Sequence, residues 1–220
     1  MSTTWGAVFD WDGVIVNSAA QHEESWEHLA HENQLRLPAN HFKQGFGMKN
    51  EYIIPNILKW TDDSDEVHRL SLRKEELYRE IIQKNGIEPL PGVHEFFDWL
   101  REHDVPRVVG SSTHRANIEV SLAAMGMERD FTALVTAEDV SHGKPDPEVF
   151  LKGAEKIGMA PERCVVFEDA QVGIQAGKAG GMRVIALETT HPRDTLTEAD
   201  LVVKRLDEIS PSLWDEWFGV

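Results

Sequence analysis

The chain has a single cysteine, Cys164, in 220 residues. That excludes a disulfide framework and any cysteine-based zinc site. Positive charge is also scarce. Lys and Arg number 22 against 38 Asp and Glu, for a net charge of −16. Non-specific binding to DNA, RNA or anionic membranes needs clustered positive charge and is therefore not expected. No window approaches the roughly 18 apolar residues of a membrane span. The start MSTTWGAVFDWD has neither a basic lead nor a long apolar run, so no signal peptide is expected. Internal repeats and low-complexity tracts are missing too. What remains is 41% hydrophobic residues, enough for a packed core and too many for global disorder. At about 150 residues per domain, the length suits one large domain or slightly more. These properties lead us to expect a soluble, cytoplasmic, monomeric globular protein.

Short apolar runs recur at Ala7–Phe9, Val105–Val109, Leu134–Val135, Val165–Phe167, Val184–Leu187 and Leu201–Val203. Most are separated by helix-like stretches, which predicts an α/β fold: a doubly wound parallel sheet with helices on both faces. Gly126 and Gly158 sit where helix C-terminal glycines belong, and Pro147 suits a first helical turn. Residues 18–86 break the alternation, having helical pattern and no convincing strand. Capping boxes are expected at Ser18–Gln21 and Asp63–Glu66. Gly86–Gly92 reads as a linker back to the sheet. The division expected is therefore a core of 1–17 and 87–220, with a small all-helical insert of 18–86 after the first strand. The last stretch, with Trp214, Trp217 and Phe218, predicts a terminal helix packed through its aromatics.

Chemistry concentrates at the predicted strand ends. The first strand runs into Asp10-Trp11-Asp12-Gly13, although aspartate is depleted in strands. Ligands of open α/β sheets bind at the strands' carboxyl ends. If the chain is still extended there, Asp10 and Asp12 share one side, and two adjacent carboxylates call for a cation or a shared proton. A second run ends in Gly110-Ser111-Ser112-Thr113 before a helix, where hydroxyls and free N–H groups can hold a phosphate. Such residues also cap ordinary helices. Lys144 lies in the rigid turn Gly143-Lys144-Pro145-Asp146-Pro147, and a later strand ends in Glu168-Asp169.

Taken together, Phe9-Asp10-Trp11-Asp12-Gly13-Val14, Val108-Val109-Gly110-Ser111, Gly143-Lys144-Pro145-Asp146-Pro147 and Phe167-Glu168-Asp169-Ala170 resemble, in order, the four motifs of the haloacid dehalogenase superfamily of phosphohydrolases. With the helical insert, the chain is similar over nearly its whole length to the β-phosphoglucomutase-like group with a small helical cap. The resemblance implies a Rossmann-like core. Asp10 would be the nucleophile that forms an aspartyl-phosphate, and Asp12 the general acid and base. Mg²⁺ would sit among Asp10, the main-chain carbonyl of Asp12, and Asp169, with Glu168 as ligand or neighbour. Ser111 and the N–H groups after it would hold phosphoryl oxygens, and Lys144 would balance their charge.

In the insert, His22, Trp26 and Leu29 share one helix face, and Val67, Leu70, Lys74, Leu77 and Ile81 form another stripe in which Lys74 occupies an apolar slot. Each polar residue can be an edge side chain that snorkels. The resemblance implies instead that His22 and Lys74 face the substrate. It also implies that Gly45–Glu51, including Gly47 and Asn50, is the substrate-specificity loop. Mutases of this type carry an arginine near there for a second phosphate, where this chain offers Lys49 and Asn50. On the core side Ser112, Thr113, His114 and Arg115 are further candidates for substrate or a distal phosphate; the fork of Arg115 suits phosphate. Trp11, bulkier than the usual aliphatic residue, is expected to fill core space. Asn17–Ser18 and Gly86–Pro91 are the expected hinges of a closing cap.

Gly173–Ala179 superficially suggests a phosphate-binding P-loop. It is one residue short and lacks the hydroxyl after the lysine, so a glycine-containing helix on the sheet is expected. The ten histidines show no convincing zinc spacing. The expected activity is Mg²⁺-dependent hydrolysis of a small phosphate ester, a sugar phosphate by preference. The alternative is a β-phosphoglucomutase-type mutase. A phospho-acceptor signalling domain would need neither Asp12 nor a lid, and dehalogenase chemistry would need neither an acid at Asp12 nor Mg²⁺.

Overall fold

The computed structural model describes residues 5–45 and 48–219. In chain order the elements are β1 (Gly6–Phe9), α1 (Ala19–Glu32), α2 (His41–Gly45), α3 (Asn50–Ile53), α4 (Ser64–Asn85), α5 (Val93–Glu102), β2 (Arg107–Gly110), α6 (Arg115–Met125), β3 (Ala133–Val135), α7 (Glu148–Lys156), β4 (Cys164–Glu168), α8 (Gln171–Ala179), β5 (Arg183–Leu187), β6 (Leu201–Val203) and α9 (Ser212–Phe218). The chain divides into two compact units, residues 1–17 with 87–220, and residues 18–86.

The first unit is built on a six-stranded sheet in the order β3-β2-β1-β4-β5-β6. Every pairing is parallel, as the apolar runs lead one to expect. Register explains the two-sided burial. Val8 aligns with Val108 and Val166, and Val166 with Val184. These four share one core with Val149, Phe150 and Ala154 of α7 and Ile174 and Ala176 of α8. Because strand side chains alternate in direction, Phe9 and Phe167 point to the opposite face. There they stack at 4.5 Å and meet Phe96 of α5. Trp214 of α9 stacks on Trp5 at 4.3 Å, so the terminal aromatics pack as the sequence suggests. Gly177 permits close approach in α8: a Cβ there would lie 2.7 Å from Val184 Cγ2. The P-loop-like segment is thus a helix pressed onto the sheet.

Two details differ from expectation. β2 starts at Arg107 because the N–H of Val105 is taken by Leu100 O, closing α5. Val16 and Pro89 form a small bridge, and Leu90 N–H donates to Ile15 O at 2.7 Å, so the chain segments entering and leaving residues 18–86 run side by side within the first unit.

The second unit is helical. Trp26 and Leu29 of α1 and Val67, Leu70 and Leu77 of α4 share its core with Ile53, Ile54 and Leu58. Residues Ile54–Leu58 form a π-helical turn. Asp63 caps α4 by accepting the N–H groups of Asp65 and Glu66. The box expected at Ser18 does not form: that side chain makes no capping hydrogen bond. Among the described residues no helix is long and apolar enough to cross a membrane.

Candidate active site

The order of strands reverses at β1, which lies between β2 and β4. Parallel sheets leave a crevice at the carboxyl ends of the strands beside such a point. The Asp10 N–H donates to Phe167 O at 2.9 Å, extending the β1–β4 ladder one step and bringing Asp10 beside Glu168. The chain then turns: Ile15 N–H donates to Trp11 O at 2.9 Å, and Gly13 N–H to Val16 O at 2.8 Å. Gly13 has φ +77°, and a Cβ there would overlap the Asp169 carboxylate, so a side chain is excluded on both counts. Trp11 is fully buried and meets Phe131 edge-on, which makes it a core-filling residue.

Carboxylate oxygens of Asp10, Glu168 and Asp169 lie within 4.8 Å of one another. Lys144 Nζ reaches into this group, 3.0 Å from Asp10 Oδ1 and 2.6 Å from Glu168 Oε1, above the Phe150 ring. The other Glu168 oxygen accepts the N–H groups of Asp169 and Ala170, each at 2.7 Å, at the start of α8. Glu168 is therefore anchored through both oxygens. Gly173, in the first turn of α8, leaves the space its side chain occupies. Asp169 accepts a hydrogen bond from the Thr190 hydroxyl.

The electrostatics follow from crowding. Burial raises the affinity of Asp169 for a proton well above the usual carboxylate value, and the charges of Glu168 and Asp10 add to it. Burial likewise raises Glu168, opposed by Lys144. Burial alone would depress Lys144, but Asp10 and Glu168 outweigh it and hold the ammonium charged. Three acids against one lysine leave negative charge uncompensated. An all-oxygen, anionic donor set of this kind suits a hard divalent cation such as Mg²⁺.

The loop after β2 lies at the neighbouring strand end. Ser111 is buried, its N–H on Val135 O at 3.0 Å, and its Oγ accepts the Thr113 N–H at 3.2 Å. A hydroxyl that accepts in this way still has a proton to donate. Ser112 is exposed. The Thr113 hydroxyl donates to Asp12 Oδ2 at 2.5 Å, so Asp12 turns toward this loop and its carboxylate is not part of the acid trio. His114 Nδ1 lies 3.0 Å from Glu138, and Arg115 donates to Asp139 at 2.7 Å and to Leu134 O at 3.1 Å. The two side chains expected at a distal phosphate thus already face acids.

In the helical unit, Lys74 is 3% exposed. Its Nζ meets His22 Nδ1 at 2.6 Å and Glu75 Oε1 at 3.0 Å, near the faces of Trp26 and Tyr78. Asn50 donates to the same Glu75 oxygen at 2.6 Å. Burial first, and then the Lys74 charge, lower His22 to about 3, so its ring is neutral at ordinary pH. The lysine in an apolar slot is explained by Glu75, which the sequence reading passed over. Gly47 lies outside the described residues. Two further residues were missed: Thr190, on Asp169, and Thr189, whose hydroxyl donates to Gly13 O. Both follow β5, next to β4, so applying the strand-end rule to every strand would have found them.

The profile of the haloacid dehalogenase-like hydrolase family matches residues 7–187. The chain is 36% identical over 96% of its length to the chloroplastic 5-amino-6-(5-phospho-D-ribitylamino)uracil phosphatase of Arabidopsis thaliana, and spans 57% of that protein. It is 33% identical over 82% of its length to the fructose-1-phosphate phosphatase of Escherichia coli, spanning 94% of it. Among solved structures, β-phosphoglucomutase from Clostridium difficile matches with a TM-score of 0.80 at 24% identity, over 97% of this chain and 96% of that one, a likeness of fold. A profile match running from β1 through β5, with relatives of this similarity, leaves one conclusion: the chain belongs to the haloacid dehalogenase-like hydrolase family.

Proposed function

We propose that this protein is a Mg²⁺-dependent phosphatase that hydrolyses a small phosphorylated metabolite, a sugar phosphate by preference, through an aspartyl-phosphate. The observation that carries this reading is the Asp10 carboxylate held 3.0 Å from Lys144 beside buried Asp169. An Asp10 oxygen bonds to phosphorus as the ester P–O bond breaks, and the carboxyl proton of Asp12 passes to the departing oxygen. Water then bonds to phosphorus and gives its proton to the Asp12 carboxylate. The Asp10–phosphorus bond breaks and phosphate leaves. Acid–base help of this kind is worth roughly 10²–10⁴-fold in rate. Asp10, Asp169 and the main-chain carbonyl of Asp12 would hold Mg²⁺, which when bound screens the phosphoryl charge from the nucleophile. Glu168, engaged through both oxygens, fixes Lys144. Ser111 and the following N–H groups hold phosphoryl oxygens.

Hydrolysis is favoured over mutase chemistry because a bisphosphate needs a second cationic pocket. Arg115 is committed to Asp139 and Leu134 O, and His114 to Glu138. His22, Lys74 and Asn50 remain proposed contacts for the organic part of the substrate. Lys74 is already neutralised by Glu75, which favours a hydroxyl-rich group over a second anion. Phosphate release from a panel of sugar phosphates with Mg²⁺ tests the reading. Asp10→Asn should fold and be inactive; activity near wild type in that variant refutes the nucleophile assignment. Conversion of β-glucose 1-phosphate to glucose 6-phosphate without phosphate release, stimulated by the bisphosphate, would establish the mutase instead.

A further inference from the structure

Thr113 is tied down at both ends of its peptide unit. Its N–H donates to Ser111 Oγ at 3.2 Å, and its carbonyl accepts from Ala137 N–H at 3.3 Å. The β-branched side chain has few rotamers, so a fixed backbone fixes the hydroxyl. That hydroxyl donates to Asp12 Oδ2 across a separation of 101 residues. Asp12 itself sits in the tight turn after β1, where its backbone bridges to Val16. The carboxylate is thus aimed by a group belonging to the loop that carries Ser111.

We propose that Thr113 is a positioning residue for Asp12, so that the loop after β2 aligns both the phosphoryl group, through Ser111, and the acid, through Thr113. This rests on Asp12 being the acid and base of the proposed phosphatase. It removes Thr113 from the candidates for distal-phosphate binding. The role predicts a leaving-group signature. Departure of a sugar alkoxide needs a proton delivered along one direction, whereas nitrophenolate leaves with little such help. Losing a hydrogen bond to a charged group costs roughly 10–100-fold.

The test compares kcat and KM of wild type, Thr113→Val, Thr113→Ser and Asp12→Asn on p-nitrophenyl phosphate and on the fastest sugar phosphate of the panel. In Thr113→Val the ratio of sugar-phosphate to aryl-phosphate kcat/KM, which reports the transfer step, should fall at least about 10-fold, while kcat falls on both esters because they share the hydrolysis of the aspartyl-phosphate. Thr113→Ser should recover most of that ratio, and Asp12→Asn should show the same selective loss, larger. Equal losses of kcat/KM on both esters in Thr113→Val would mark a structural residue and overturn the proposal. A loss confined to KM would mark a substrate contact and overturn it equally. A wild-type ratio in Thr113→Val beside a selective loss in Asp12→Asn overturns the proposal alone. A wild-type ratio in Asp12→Asn overturns the assignment of Asp12 as well.

Discussion

Replacing Lys144 by methionine keeps the stem and removes the charge. The ammonium lies 3.0 Å from Asp10 and 2.6 Å from Glu168. At an effective dielectric of about 20, each contact is worth about 5–6 kcal/mol of gross attraction, much of it offset by the cost of taking the ions out of water. Loss of one partner from a buried ionic group typically costs about 3–5 kcal/mol, because the remaining charge is left uncompensated. Here that remainder is three carboxylates within 4.8 Å, one of them on Glu168 with 1% exposure. Lys144→Met should therefore lose about 3–5 kcal/mol in urea unfolding at neutral pH without divalent ions. Part of this should return with Mg²⁺, since binding to the folded state alone adds about 2.7 kcal/mol at a hundredfold excess over Kd. Wild type, with less charge to relieve, should gain less from Mg²⁺ at the same concentration. A variant within about 1 kcal/mol of wild type in the absence of Mg²⁺, or one indifferent to Mg²⁺, would refute this account of the acid cluster.

Gly173→Ala offers a contrast in sign. Alanine improves helix propensity by about 0.5–1 kcal/mol, but the new methyl would overlap the buried Glu168 carboxylate, which three hydrogen bonds hold in place. Overpacking of about 1–3 kcal/mol should win. The variant should melt lower and turn over more slowly, and one melting at or above the wild-type temperature contradicts the packing described. His22 supplies a pH dependence. Its folded value is lowered from 6.5 to about 3, so between those limits the unfolded chain binds the proton and the folded chain does not. Stability should therefore fall as pH drops below 6.5, by at most about 1.4 kcal/mol per pH unit from this group. Urea titrations of wild type and His22→Gln between pH 7 and pH 5 should show the shallower decline in the variant; identical slopes would contradict a neutral, half-buried His22.

Much of this protein was legible before any coordinates. The apolar runs at Ala7–Phe9, Val165–Phe167 and Val184–Leu187 are strands because β-structure is a local pattern of buried side chains. Asp10, Glu168 and Asp169 stood out because polar residues at the ends of apolar strands need a reason to be there, and Lys144 because its rigid turn matches a motif of the family; the four converge on one edge of the sheet. The glycines of Gly173–Ala179 were legible as packing rather than as a phosphate loop, for want of the hydroxyl after the lysine.

Tertiary structure decided which partner each polar side chain takes. Asp12 and Thr113 are 101 residues apart, and they meet because β1 and β2 pair in one register. Glu75 drew no notice as one acid among 38, until helix packing set it against Lys74 and Asn50. Arg115 looked like a free phosphate fork, and folding delivered Asp139 to it. The Ser18 capping signal was present in the sequence and still left unused. Residue type and spacing state what a side chain can bond, whereas hydrogen bonds between distant segments depend on strand register and helix docking to within an ångström or so, and no local pattern carries that information.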